Sequence, residues 1–164
     1  MMYVLQVRTG EEEAVLEQLR RRQIQSLLPR EERLIRHGGA WTRQIYKLLP
    51  GYLFVDIDYS DTLYYAIVSI PAVLRVLKAD GRPAPLPKPE EQYIRFLGEK
   101  LLSPSVVRRL PDGRGQPLSG ILTQLSDGNI RYDWHARRAT VTISLFGSIK
   151  TLRLSFRISE EPAG

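Results

Sequence analysis

The sequence predicts a mixed α+β protein, an antiparallel sheet flanked by helices joined to a small all-β barrel, and three observations carry that expectation. Short β-branched and aromatic runs alternate with amphipathic helical segments and tight hairpin signals through about the first 100 residues. Breakers cluster at Ser103-Pro104-Ser105 and Pro111-Asp112-Gly113. Beyond them, apolar residues recur at every second position in Ala139–Leu145 and Leu152–Ile158. A chain of 164 residues has room for two small domains, which places them at 1–102 and 118–164 with a linker over 103–117.

Tyr3–Val7 reads as the first strand, ending at Thr9-Gly10. Thr9 followed three residues later by Glu12 is a capping-box pattern, in which the threonine oxygen takes an orphan helix N–H and the glutamate returns the bond. In the helix that follows, Glu11, Glu12 and Glu13 in the first turn and Arg20, Arg21 and Arg22 in the last complement the helix dipole. Val15, Leu16 and Leu19, with Ile24, supply its buried stripe. Leu27-Leu28-Pro29-Arg30 leads into an extended stretch, Glu32–His37, and Gly38-Gly39 signals a hairpin turn before Trp41–Lys47. That projecting hairpin carries Arg33, Arg36 and Arg43. Pro50-Gly51 turns the chain into the strand Tyr52–Asp56; Asp61–Ser69 is helical and ends before Pro71; Val73–Leu77 is a strand and Asp80-Gly81 a turn. Lys88-Pro89-Glu90-Glu91 opens a third helix, with proline in the first turn where its missing N–H costs nothing.

In the C-terminal part, Ala139, Val141, Ile143 and Leu145 face inward between hydroxyl side chains. Leu152, Leu154, Phe156 and Ile158 repeat the alternation, with Arg153, Ser155 and Arg157 facing water. Trp134 is placed to stack on unpaired bases or to close the barrel core.

Hydrophobic residues at 43 % and charged residues at 26 % fit a folded, water-soluble chain. With no cysteine there is no disulfide, thiolate metal site or cysteine nucleophile, and His37 and His135 are too far apart in sequence to suggest a metal. The first residues lack the pattern of a signal peptide and no apolar run reaches membrane-helix length, so a cytoplasmic protein with no membrane partner is expected. Asp56-Ile57-Asp58 has no third carboxylate for a cation, and neither phosphate-loop glycine pattern occurs. No metal, no cofactor and no catalysis are expected. The net charge is +6 and the pI near 9.8, which favours polyanionic partners. Residues 1–100 hold 15 basic and 13 acidic side chains. With Glu160 and Glu161 assigned to a polar tail, residues 101–158 hold 9 against 3 and carry +6.

In this order, Tyr3-Val4-Leu5-Gln6-Val7-Arg8-Thr9-Gly10-Glu11-Glu12, Leu28-Pro29-Arg30-Glu31-Glu32, Lys47-Leu48-Leu49-Pro50-Gly51-Tyr52-Leu53-Phe54-Val55 and Ser69-Ile70-Pro71-Ala72-Val73 resemble the N-terminal (NGN) domain of the NusG family of transcription elongation factors. His135-Ala136-Arg137-Arg138-Ala139 and Leu145-Phe146-Gly147 fall where that family's C-terminal KOW domain, a small SH3-like barrel, has a basic turn and a strand ending in Phe-Gly; they are closer to the specialised paralogue LoaP than to the housekeeping factor. Met2 stands where relatives commonly have tryptophan, and Ser119-Gly120-Ile121 keeps the first glycine of the KOW motif without its proline.

The resemblance implies a monomeric factor whose N-terminal domain grips the clamp helices of the RNA polymerase largest subunit through Tyr3, Leu49, Pro50, Tyr52, Phe54, Ser69, Ile70 and Val73. Phe54, Ile70 and Val73 fit a core equally well. It places the hairpin with Arg33, Arg36 and Arg43 near upstream or non-template DNA. It points to structured RNA for the basic barrel through Arg131, Trp134, His135, Arg137, Arg138, Lys150, Arg153 and Arg157. The implied outcome is processive antitermination. The alternatives are a housekeeping adaptor whose barrel couples polymerase to the ribosome or a termination factor, and a ribosome-associated RNA-binding module.

Overall fold

The computed structural model describes residues 1–125, 130–145 and 147–160, so Phe146 of the Leu-Phe-Gly match and Glu161 of the expected tail lie outside the described residues. The fold is mixed α+β, as the sequence predicts. It forms two compact units: residues 1–29 with 49–99, and residues 30–48 with 100–164.

In the first unit, β1 (Met2–Val7) sits inside a four-stranded sheet between β5 (Tyr52–Asp56) and β6 (Val73–Val76), with β2 (Gln25–Leu27) beyond β5. All of these pairings are antiparallel. Alternation sends Tyr3, Leu5 and Val7 to one face, where they join Leu53, Val55, the α1 (Glu12–Arg21) stripe Val15, Leu16 and Leu19, and Ile67 of α2 (Asp61–Val68) in one core. Met2, Val4 and Phe54 point to the other face and are also fully buried. Near the C-terminus of α3 (Lys88–Gly98), a Cβ added at Gly98 would come within 3.1 Å of Leu27 Cβ. Arg95 Nη2 of that helix donates to Asp56 Oδ2 at 2.7 Å.

The capping box expected at Thr9 does not form. Glu11 N–H donates to the Arg8 oxygen at 3.0 Å in a tight turn, which makes Glu11 the N-cap residue, with no side-chain cap bond. Glu12 is 0 % exposed, and its carboxylate instead takes the Gly10 N–H at 2.7 Å and the Gly51 N–H at 2.9 Å. It thereby pins the Pro50-Gly51 turn to the start of α1.

The second unit contains five strands, β9 (Ser105–Arg109), β10 (Gly115–Ser119), β11 (Ile130–Asp133), β12 (Arg138–Leu145) and β13 (Ser148–Ile158), in one sheet of order β10-β9-β13-β12-β11. The linker expected over 103–117 is therefore occupied by β9 and most of β10. The breakers at 111–113 make a hairpin turn, closed by the Leu110 N–H to the Arg114 oxygen at 2.8 Å, and β9 pairs in parallel with β13. A Cβ at Gly115 of β10 would run into the Tyr132 ring of β11, so the two edge strands approach and the sheet curls toward a barrel. Gly120, the retained glycine, has φ +90, and a Cβ there would come within 2.7 Å of Ser105 Cα, so the position requires glycine.

The predicted hairpin is present as β3 (Arg30–His37) and β4 (Ala40–Lys47), joined through Gly38 and Gly39 with φ +59 and +83. It belongs to the second unit. The Glu32 N–H donates to the Leu102 oxygen at 2.8 Å, and the buried Glu31 carboxylate takes the Ser155 N–H with both oxygens, at 3.0 and 2.9 Å. Ser155, expected to face water, is consequently 1 % exposed.

Candidate functional site

Assigning the hairpin to the second unit sharpens the charge separation. The first unit holds 9 basic and 11 acidic side chains, a net −2, and the second 15 and 7, a net +8. Any polyanion contact is therefore concentrated on the second unit.

Two of the arginines expected to meet nucleic acid instead hold the hairpin in place. Arg138 is 8 % exposed, and its Nη2 donates to the Leu34 oxygen at 3.1 Å. Burial and the neighbouring Arg33 lower its pKa. Arg33 donates through Nε to Glu31 at 2.9 Å and through Nη2 to the Arg153 oxygen at 3.1 Å, and its guanidinium lies 4.5 Å from the Tyr46 ring centroid. Burial pushes the Glu31 carboxyl up, against the lowering effect of the Ser155 N–H and of Arg33. Trp134 stacks on Tyr132 at 5.1 Å, meets Phe156 edge-on at 5.4 Å and has Arg109 over its ring at 5.0 Å, which fits the core role more than an open stacking platform. It also borders a groove of about 610 Å³ shared with Arg114 and Tyr132.

Arg36, Arg43, Arg131, His135 and Arg153 are exposed, and Arg137, Lys150 and Arg157 half-buried. Three of these, Arg36, His135 and Arg137, meet at one place. The turn between β11 and β12 runs through residues 134–137, held by the Ala136 N–H to Asp133 Oδ1 at 2.9 Å. It faces the hairpin across a cleft of about 260 Å³ lined by Leu34, Ile35, Arg36, Trp41 and residues 135–138. Trp41, absent from the residues singled out in the sequence, has the Arg36 and Arg137 guanidiniums each 5.7 Å from its ring centroid.

The polymerase-facing candidates divide by exposure. Tyr3, Leu49, Phe54 and Ile70 are buried, Tyr52 and Val73 half-buried, and Pro50 and Ser69 exposed. Burial also raises the Tyr3 phenol. Beside them the sequence reading missed Tyr65 on α2 and Leu74 on β6, 67 % and 57 % exposed, and the tyrosine series Tyr3, Tyr59, Tyr64 and Tyr65, with successive centroids 5.8, 6.3 and 5.4 Å apart. A doubled tyrosine in an otherwise apolar helix was the available signal. Among the described residues no helix is long and apolar enough to cross a membrane, and no group of acidic or histidine side chains could hold a metal ion.

A family model described as transcription termination factor nusG matches residues 2–95. The chain belongs to the NusG family. The transcription termination/antitermination protein NusG of Buchnera aphidicola from Acyrthosiphon pisum is 27 % identical over 179 aligned residues, covering 97 % of this chain and 94 % of the relative. The protein of the same name from Escherichia coli K12 is 26 % identical over 140 residues, 79 % of this chain and 74 % of its own. The solved structure described as "Domain interaction in Thermotoga maritima NusG" aligns with a TM-score of 0.53 at 18 % identity over 94 % of this chain and 92 % of that one, a likeness of fold. NusG-family membership makes this a transcription factor of the termination and antitermination type, in agreement with the expectation that it is not an enzyme.

Proposed function

We propose that this NusG-family protein is a monomeric cytoplasmic elongation factor that binds the clamp helices of RNA polymerase through its first unit and engages structured RNA through its second, a KOW-type barrel, to promote processive antitermination in the manner of LoaP. The observation that carries the reading is the partition of charge, −2 against +8, between the two units. The nearly balanced unit exposes Pro50, Ser69, Tyr65 and Leu74 and leaves Tyr52 half-buried, apolar and aromatic groups suited to a protein partner. The basic unit presents Arg131, His135, Arg153 and the hairpin arginines Arg36 and Arg43, suited to phosphates. No covalent chemistry is required: preferential binding to the elongating over the paused polymerase shifts the equilibrium between them.

The burial of Arg138 keeps a second reading in play, because half of the Arg137-Arg138 match to LoaP serves the interior. In that reading the barrel is an adaptor to the ribosome or a termination factor. The test combines polymerase pull-down, terminator read-through and RNA titration with the full chain. Polymerase should retain the protein and lose it on Tyr52→Ala. RNA affinity should fall about 10³-fold between about 50 and 200 mM salt if about six phosphates are contacted. Undiminished retention of Tyr52→Ala removes the polymerase site, and absence of RNA binding at low salt selects the adaptor.

A further inference from the structure

The hairpin and the β11–β12 turn, about 100 residues apart in sequence, together form a cleft that neither makes alone. The half-buried Trp41 indole lines it, flanked by two guanidiniums. The imidazole of His135 is exposed on the turn opposite. No carboxylate is among the described residues lining the space. Arg137 is held over the indole by the bond from its Nη1 to the Trp134 oxygen, with its backbone at φ +59, a conformation that favours glycine. Keeping an arginine at such a position is consistent with a use for its side chain.

We propose that this cleft binds one unpaired nucleotide of an RNA loop, the base stacking on Trp41 and the adjoining phosphates meeting Arg36, His135 and Arg137. The proposal rests on the reading that the second unit engages RNA, and it names the place and the chemical class. A volume of about 260 Å³ lies just below the ~300 Å³ at which small-molecule pockets begin, room for one nucleotide and not for a duplex. Both guanidiniums lie farther from their ring than Arg33 does from Tyr46, at 5.7 against 4.5 Å. The exposed Arg36 can therefore swing aside and cover a base from its far side, since guanidinium planes stack on bases as aromatic rings do. An acidic peptide would use the cations but leave the indole without a stacking partner. Among nucleic acids, RNA loops present splayed bases, whereas a DNA duplex must first unstack one.

The test titrates the full chain with a labelled RNA hairpin carrying an unpaired loop, a blunt RNA duplex of the same stem, and single-stranded DNA of the loop sequence. Loop RNA should bind tightest and quench tryptophan fluorescence, and Trp41→Phe should remove that quenching. Trp41→Ala should weaken loop binding about tenfold or more. Arg137→Gly relieves the backbone and should leave the melting temperature unchanged or higher, while lowering the salt slope by about one. Equal binding by Arg137→Gly and the parent, or full quenching in Trp41→Phe, overturns the cleft while leaving RNA binding by the unit intact. Equal binding of the duplex or the DNA overturns the unpaired-RNA assignment. Absence of RNA binding at low salt overturns the underlying reading as well, and displacement of loop RNA by an acidic peptide with the same quenching transfers the site to a protein partner and overturns the proposal.

Discussion

In the first unit the buried Glu12 takes the backbone N–H groups of Gly10 and Gly51, while in the second the equally buried Glu31 takes the Ser155 N–H with both oxygens and the Arg33 Nε with one. Glu12 binds together neighbouring parts of one α+β sheet and fixes the turn that leads into Tyr52. Glu31 reaches a strand 124 residues away and attaches the β3–β4 hairpin to the five-stranded sheet of the second unit. The same residue type, buried to the same degree, thus sets a surface turn in the nearly neutral unit and the composition of the basic one. What distinguishes the units is therefore more than their charge. In the second, the Glu31 carboxyl works with the Arg138 bond to the Leu34 oxygen to hold the hairpin that carries Arg36 and Trp41 beside the turn that carries His135 and Arg137.

The largest change to this comparison should come from Glu31→Ala. It leaves the Ser155 N–H buried and removes the carboxylate partner of Arg33, at a cost of about 3 kcal/mol. Chemical denaturation should show that loss, and hydrogen exchange should place it on the hairpin and β13. Loss of protection confined to 1–29 and 49–99 would contradict the role given to Glu31. Glu12→Ala should cost about 2 kcal/mol, because the buried Gly51 N–H loses its acceptor. The loosened turn should also weaken polymerase association while leaving RNA affinity unchanged. A variant that lost both activities equally would show that the units do not act separately.

Much of this could be read from the chain. Gly38-Gly39 between extended runs marked the hairpin, and the alternation in Ala139–Leu145 gave the buried face of β12 correctly. The charge count also pointed to the basic half. What escaped depends on pairing between distant segments. Residues 105–117 look like linker because the breakers at 111–113 read as loop, whereas they turn β9 back onto β10, and the pairing of β9 with β13, about fifty residues on, is parallel and leaves no local signal. Glu31 stands in a doublet with Glu32 and reads as solvated charge until β13 is laid against it. Arg36, His135 and Arg137 were each singled out as basic, but only the folded chain brings them to one cleft and adds Trp41. Arg138 and Arg137 are adjacent in sequence and both border the cleft, yet Arg138 is buried and bonded to the Leu34 oxygen while Arg137 is half-buried against Trp41.

The smallest expected effect separates the units by the sign of their response to pH. Burial raises the Glu31 carboxyl above its ordinary 4.5, so its contribution to stability is fully present below that value and is lost as pH rises through the folded-state value. The hydrogen bond from Arg95, assisted by the N-terminal ammonium, lowers Asp56 below its ordinary 3.8. Its contribution is present above that value and is lost as pH falls through the folded-state one. Glu31→Gln keeps an acceptor and cannot ionise, so the parent should lose stability relative to it as pH rises through the raised folded-state value. Asp56→Asn removes the ion pair with Arg95, so the parent should exceed it at neutral pH and lose that margin in acid. Thermal unfolding of the three proteins from about pH 3 to about pH 7 measures both differences. Margins moving in the same direction would mean that hydrogen bonding outweighs burial at Glu31. The hairpin would then be held by an ionised carboxylate, and neutral pH would strengthen its attachment.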